Sequence, residues 1–175
     1  KFEEAVPCYD KAISLDENHA YAWSNKGLAL HRLGKYEEAV PCYDKAISID
    51  ENHAYAWSNK GLALNYLRKF EEAVPCYDKA ISLDENNAHA WCNKGIALYH
   101  LQKFEEAVPC YDKAISLEEN YADAWYFKGI ALHHLQKHEE AISCFDKAIS
   151  IDENYGPAWS NKGKLLNYFE KHEEA

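Results

Sequence analysis

Residues 1–30, KFEEAVPCYDKAISLDENHAYAWSNKGLAL, return at 35–64 as KYEEAVPCYDKAISIDENHAYAWSNKGLAL, with Tyr36 for Phe2 and Ile49 for Leu15 as the differences. The match continues in weaker form, so the 175 residues hold five periods of 34 and the five residues KHEEA. Composition collapses onto this period. Every tryptophan falls in one row (Trp23, Trp57, Trp91, Trp125, Trp159), and Gly27, Gly61, Gly95, Gly129 and Gly163 form another. Self-similarity at such a period marks stacked supersecondary units, and the full apolar pattern inside each unit separates it from low complexity.

Within one unit, Ala22, Trp23, Leu30 and Leu33 share one side of a helix, which predicts a first helix over roughly 20 to 33. After Gly34 and Lys35, the residues Tyr36, Ala39, Val40, Tyr43, Ala46 and Ile47 recur at spacings of three and four, which predicts a second helix. Glu37 and Glu38 sit in its first turn, where the helix dipole favours negative charge. Asn52 is placed as the N-cap of the next first helix. No stretch alternates with period two, so no strand is expected. A lone pair of amphipathic helices leaves its apolar face bare, so neighbouring pairs must stack into one core. The Gly27, Ala39 and Ala46 rows provide the close approach that lets the bulky Trp23 and Tyr43 rows interlock.

The row Trp23, Gly27, Leu30, followed by Ala39, Tyr43 and Ala46, resembles the tetratricopeptide repeat over the whole chain. The resemblance implies an all-α fold, a right-handed superhelical α-solenoid of antiparallel helix pairs. It divides 1–175, taken as a single array, into a second helix of a partial repeat at 1–19, full repeats at 20–53, 54–87, 88–121 and 122–155, and a partial repeat at 156–175. Two departures from the family pattern recur. Lys26, Lys60, Lys94, Lys128 and Lys162 stand where Leu is usual, and Glu17, Glu51, Glu85, Glu119 and Glu153 stand where Pro is usual. Helical phase puts the lysines near the middle of the apolar face, so each stem is expected to lie buried while the ammonium reaches an acidic residue of a neighbouring helix, with the Asp44 row as the candidate. Pro7, Pro41, Pro75 and Pro109 lie inside second helices, where bending is expected; Ser143 takes the place in the last full one.

A formal net charge of −10 disfavours nucleic acid, because neutralising phosphates takes clustered Lys and Arg. No run of about 20 apolar residues and no signal stretch opens a route into or across a membrane, and the reading is soluble and cytoplasmic. Five of the six cysteines follow the repeat; equivalent positions on stacked helices lie about 10 Å apart, beyond the roughly 7 Å limit for a bridge. Free thiols are expected, including Cys92, which stands outside that row.

In tetratricopeptide proteins the side of the first helix opposite the tryptophan lines a concave groove, and the resemblance implies the same here. That side carries Tyr21, Asn25, His31 and Arg32 in one repeat, and Tyr55, Asn59, Asn65 and Tyr66 in the next. Asn93, Tyr99 and His100 follow, then Tyr126, Phe127, His133 and His134, then Asn161. The lining varies while the packing rows hardly change, as graded recognition of a ligand requires; drift on an exposed face gives the same pattern. Carboxamides spaced along a groove match the donors and acceptors of an extended peptide backbone, a use family members make of such asparagines, while tyrosines add rigid contact area. Arg32 and Lys164, far apart in sequence, form no cationic clamp for an acidic chaperone tail.

No phosphate loop, nucleophile elbow or HExxH is present, so no enzyme and no cofactor are expected. His100, His133 and His134 invite a metal, yet zinc requires nitrogens converging at about 2.0–2.1 Å, and successive repeats hold rows too far apart, so no metal is expected. The leading expectation is a scaffold for a protein or peptide partner. Two alternatives stand beside it: an array that self-associates head to tail through complementary open ends, and the recognition arm of an enzyme lying outside this sequence.

Overall fold

The computed structural model describes residues 2–173, and among these it is all-α. The helices are α1 (Phe2–Leu15), α2 (Ala20–Arg32), α3 (Tyr36–Ile49), α4 (Ala54–Tyr66), α5 (Phe70–Leu83), α6 (Ala88–His100), α7 (Phe104–Leu117), α8 (Ala122–His134), α9 (His138–Ile151) and α10 (Gly156–Glu173). They divide into two units, Lys1–Asn86 with α1 to α5 and Asn87–Ala175 with α6 to α10. In the first unit each helix packs on its chain neighbour, and α2 also touches α4; in the second, α6 to α10 repeat the pattern, with α6 touching α8. No helix among the described residues is long and apolar enough to cross a membrane.

The turn inside each pair is a Schellman motif. After α2, Gly34 N–H donates to the His31 carbonyl at 2.9 Å and Lys35 N–H to the Leu30 carbonyl at 2.9 Å. Gly34 holds φ at 75°, the left-handed region that glycine enters without steric cost. Arg68, Gln102 and Gln136 occupy the same region at 60°, 61° and 63°, so the packed pair imposes there a conformation that costs a non-glycine residue about 1–2 kcal/mol.

The entry into the next first helix differs from the expected cap. Asn52 does not cap α4; its N–H donates to Asp50 Oδ1 at 3.0 Å, and the cap residue is His53, whose side chain makes no capping bond. An Asx turn thus shapes the connection before the helix begins, and the same bond joins Asn18 to Asp16, Asn86 to Asp84 and Asn154 to Asp152. At α6, Asn87 does cap, accepting from Ala90 N–H at 2.9 Å.

Tyrosine, rather than tryptophan, fills the seam. Tyr43, Tyr77 and Tyr111 are fully buried, as are Ala39, Ala46, Ala73 and Ala80. A Cβ on Gly27 would lie 2.7 Å from Tyr43 Cε1, one on Gly61 2.8 Å from Tyr77 Cζ, and one on Gly95 2.6 Å from Tyr111 Cε1. Each glycine is therefore the floor of a socket for a ring of the second helix in its own pair. The tryptophans stay half-buried over most of the row and act at the connection: Nε1 of Trp23, Trp57, Trp125 and Trp159 donates at 3.0 Å to the carbonyl of Glu17, Glu51, Glu119 and Glu153. The Pro-to-Glu departure falls at this carbonyl, in a turn held by indole and Asx bonds instead of by a fixed φ.

The lysine row behaves as its phase predicts. Lys26 Nζ lies 2.6 Å from Asp10 on the preceding second helix, Lys60 2.6 Å from Asp44, Lys128 2.6 Å from Asp112 and Lys162 2.5 Å from Asp146. Each ammonium also sits 5.5–5.9 Å from the tryptophan ring one turn back. All six cysteines are free, with Cys8 exposed and the others buried. The four prolines lie within unbroken helices, and in α9 Ser143 Oγ donates to the Glu139 carbonyl at 3.2 Å.

Helix α10 runs to Glu173 through the first residues of KHEEA, and residues 174–175 lie outside the described residues.

Two outcomes test this packing. Gly95→Ala should destabilise the chain by about 1–3 kcal/mol in urea unfolding, because Tyr111 must shift. Gly163→Ala, whose added Cβ meets nothing within 4 Å, should instead gain about 0.5–1 kcal/mol of helix propensity. For the ion pairs, the Asp10 hydrogen bond raises the Lys26 pKa above 10.5 against the opposing effect of burial. A raised lysine pKa stabilises fully below the unfolded value and is lost as pH climbs through the folded one. Lys26→Met should therefore cost up to about 1 kcal/mol at neutral pH, a difference from wild type that shrinks in melts taken above pH 10.5.

Candidate functional site

The first helices carry little negative charge. Helices α2, α4 and α6 contain no Asp or Glu and α8 contains Asp123 alone, while each second helix from α1 to α9 opens with a Glu-Glu pair. The acidic character of the chain thus lies mainly on second helices and connections. The face of the first helices left outside the tyrosine seam presents amides, phenols and imidazoles.

In the first unit, Tyr21, Tyr55 and Tyr66 are among the exposed large side chains, and Arg32 is exposed beside them. Asn25 and Asn59 are half-buried one turn further along α2 and α4. Asn65 Nδ2 donates to the Tyr77 hydroxyl at 3.0 Å, tying that face to the seam beneath. In the second unit, Asn93 and Asn161 are half-buried, and Asn161 Nδ2 donates to the Tyr126 hydroxyl at 3.1 Å. Phe127 interrupts the asparagine row, stacked 6.3 Å from Tyr111 and edge-on to Tyr126 at 5.2 Å.

Much of the variation that suggests ligand reading is matched internally. Tyr66 stacks on Tyr36 at 4.6 Å and 8°, with His31 edge-on to both rings. His134 stacks on Phe104 at 4.5 Å and 10°, and its Nε2 lies 3.1 Å from the Tyr99 hydroxyl. At the other end of the first helix, Tyr21 packs on His53 at 4.7 Å, His89 Nδ1 lies 2.8 Å from the Tyr121 hydroxyl, and the Tyr155 hydroxyl donates to Asp123. Most of these contacts join residues 30 or 32 apart, so the positions serve repeat-to-repeat packing whatever else they do. Tyr36, Phe104, His53, Tyr121 and Tyr155 belong to this face and are not singled out by the sequence, since their partners lie almost one period away.

Burial lowers the pKa of three histidines on this face. His31 is lowered by burial and by the neighbouring Arg32 charge, His53 by burial against the opposing pull of Asp50, and His133 by burial and then by His138 and His134. Burial raises Tyr99, and it raises Tyr126 against the lowering effect of the Asn161 hydrogen bond, so both stay phenols. Among the described residues no three His, Cys, Asp or Glu side chains converge as a metal site. The His133 and His134 rings lie 5.8 Å apart, centroid to centroid; His134 also stacks on Phe104, while His133 reaches His138 in a cleft of about 370 Å³ whose lining includes Gln136, Asn161, Lys164 and Tyr168.

No curated protein sequence is similar enough to the chain to count as a relative. Solved structures with this fold are numerous. MamA shares 24% identity at a TM-score of 0.81, over 87% of this chain and 89% of its own. YrrB, a tetratricopeptide repeat protein with an unusual peptide-binding site, shares 27% identity at a TM-score of 0.81, over 93% of this chain and 84% of its own. The first tetratricopeptide domain of Spaghetti (RPAP3), solved with the HSP90 peptide SRMEEVD, shares 28% at a TM-score of 0.66, over 69% of this chain and 95% of its own. The family model for the tetratricopeptide repeat matches residues 20–53, 54–87, 88–121 and 122–155, and a second model for the same repeat matches 1–34. With these matches and with α2–α3, α4–α5, α6–α7 and α8–α9 each packed as a pair around a ring socketed on glycine, the chain belongs to the tetratricopeptide repeat family.

Proposed function

We propose that the chain is a non-enzymatic scaffold that holds an extended segment of a partner protein against the faces of its first helices. The observation that carries this reading is the exposed set Tyr21, Tyr55 and Tyr66 beside the Asn25 and Asn59 carboxamides, on helices free of acidic side chains. Tyrosine offers contact area at small entropic cost and tolerates a half-wet surface, while a carboxamide pairs with both N–H and C=O of a peptide. Asn93, Asn161 and Tyr126 extend the same chemistry in the second unit. His31, Arg32, Asn65, Tyr99, His100, Phe127, His133 and His134 supply the local differences. Two structural relatives with 27% and 28% identity are peptide binders by description, which supports the reading. Among the described residues this face holds Arg32 in the first unit and Lys164 in the second, and Lys164 Nζ donates to Asn161 Oδ1 at 3.4 Å, so a peptide rich in carboxylates is not the favoured ligand.

Peptides selected from a random extended library on the intact chain should lose roughly 2- to 12-fold in affinity with each of Asn25→Ala and Asn59→Ala, as measured by calorimetry. Lys45→Ala, on a second helix, should leave affinity unchanged. Selection of no peptide, or affinities indifferent to both asparagines, would overturn the proposal.

A second reading, end-to-end association of chains, has one specific observation in its favour. Gly163 on α10 faces an empty socket, whereas Gly27, Gly61, Gly95 and Gly129 each floor one filled by a ring. Helix α1 repeats the sequence of α5 residue for residue, and its Tyr9 is half-buried where Tyr77 is enclosed. Sedimentation equilibrium should show mass rising with concentration for wild type and a monomer for Tyr9→Ala; a concentration-independent wild-type monomer eliminates this reading.

A further inference from the structure

The hairpin α8–α9 carries a combination of three residues that the other pairs lack, with His138 standing where they have Tyr or Phe. Where the others carry His31, Gly34 and Tyr36, or Asn65, Arg68 and Phe70, or Tyr99, Gln102 and Phe104, this one carries His133, Gln136 and His138. An aromatic contact between the end of the first helix and the start of the second has become a contact between two imidazoles. Their Nδ1 atoms lie 3.1 Å apart, with the ring centroids at 5.1 Å. His138 Nε2 lies 3.2 Å from Gln136 Oε1, and since that oxygen only accepts, Nε2 carries the proton. With the proton on Nε2, His138 Nδ1 accepts from the Nδ1–H of His133.

We propose that this pair is a two-imidazole site for a first-row transition-metal dication of the Zn²⁺, Ni²⁺ or Cu²⁺ class. Histidines of successive repeats stand too far apart to share a metal, but His133 and His138 meet within one hairpin. Two nitrogens at about 2.0–2.1 Å from one zinc in a tetrahedral arrangement stand about 3.3 Å apart, so a cation can replace the shared proton with a small separation of the rings. The balance is simple: His133 passes from the Nδ1–H to the Nε2–H tautomer by exchange with water, and no net proton is lost. Gln136 supplies the outer hydrogen bond that orients a metal-binding imidazole, and the left-handed turn at its own backbone, φ 63°, places it over His138. The cleft of about 370 Å³ leaves room for water to complete the coordination. Glu139 in the first turn of α9 favours a cation, while Glu140 is paired with Lys137 at 3.5 Å. Lys164 in the same cleft opposes it, with its ammonium held by Asn161. The site shares His133 and Asn161 with the face proposed to hold a peptide, and the test below reads metal binding without one.

The test is calorimetric titration of the intact chain with NiCl₂, and separately proton NMR following the imidazole signals as paramagnetic Ni²⁺ is added. Wild type should bind one equivalent, with the His133 and His138 resonances broadened first. His133→Gln or His138→Gln should weaken binding at least tenfold, and Gln136→Ala about 10- to 100-fold. His100→Gln and His134→Gln should leave it unchanged, with helical circular dichroism retained throughout. If all nine histidines broaden in parallel, or if affinity is the same in the His133 and His138 variants as in wild type, the pair holds a shared proton only and the site does not exist. The NMR arm needs wild type alone, so a variant that fails to fold does not shelter the proposal.

Discussion

A tyrosine ring pressed onto a bare glycine backbone organises this chain. Gly27, Gly61 and Gly95 each accept a phenol from the second helix of their own pair at distances that leave no room for a methyl group. The approach of the two helix backbones follows from that contact, and the fully buried alanines at 39, 46, 73 and 80 follow from the approach, since anything larger would force the helices apart. Gly129 keeps the same socket for Phe145, so the ring is what the packing requires, and the hydroxyl is dispensable.

Around that seam the tryptophan, lysine and aspartate rows form a second mechanical layer. The indole N–H closes the connection preceding each first helix while its ring receives the lysine, and the lysine reaches back to an aspartate of the previous second helix. One side chain thus couples a turn to the neighbouring pair. This explains how a lysine is accommodated where the family usually places leucine: the stem packs and the charge finds both a carboxylate and a ring face.

The periodicity, the helix starts near Tyr36, the free thiols and the direction of the lysines were legible without coordinates, because each depends on residues close in sequence or on a repeat that makes a neighbour's sequence known. The Asn52 cap is not formed, and of the Trp23 and Tyr43 rows expected to interlock only the tyrosines are enclosed. Asn and Asp two residues apart compete for one turn, and propensity does not say which wins. An indole and a phenol are equally good core formers by composition, and only the glycine opposite decides which of them is enclosed. The candidate face was legible as a list of residues but not as a set of partners.

Read alone, the sequence determined that the chain is a row of helix pairs, where most of them begin and end, and which face of each first helix is left out of the core. Tertiary structure alone decided who meets whom on that face: Tyr66 with Tyr36, His134 with Phe104, His133 with His138. The physical reason is that helical period sets the direction of a side chain around its own axis. Contact across a turn or between repeats depends instead on how far apart and at what angle two axes lie, and those are set by the packed side chains acting together.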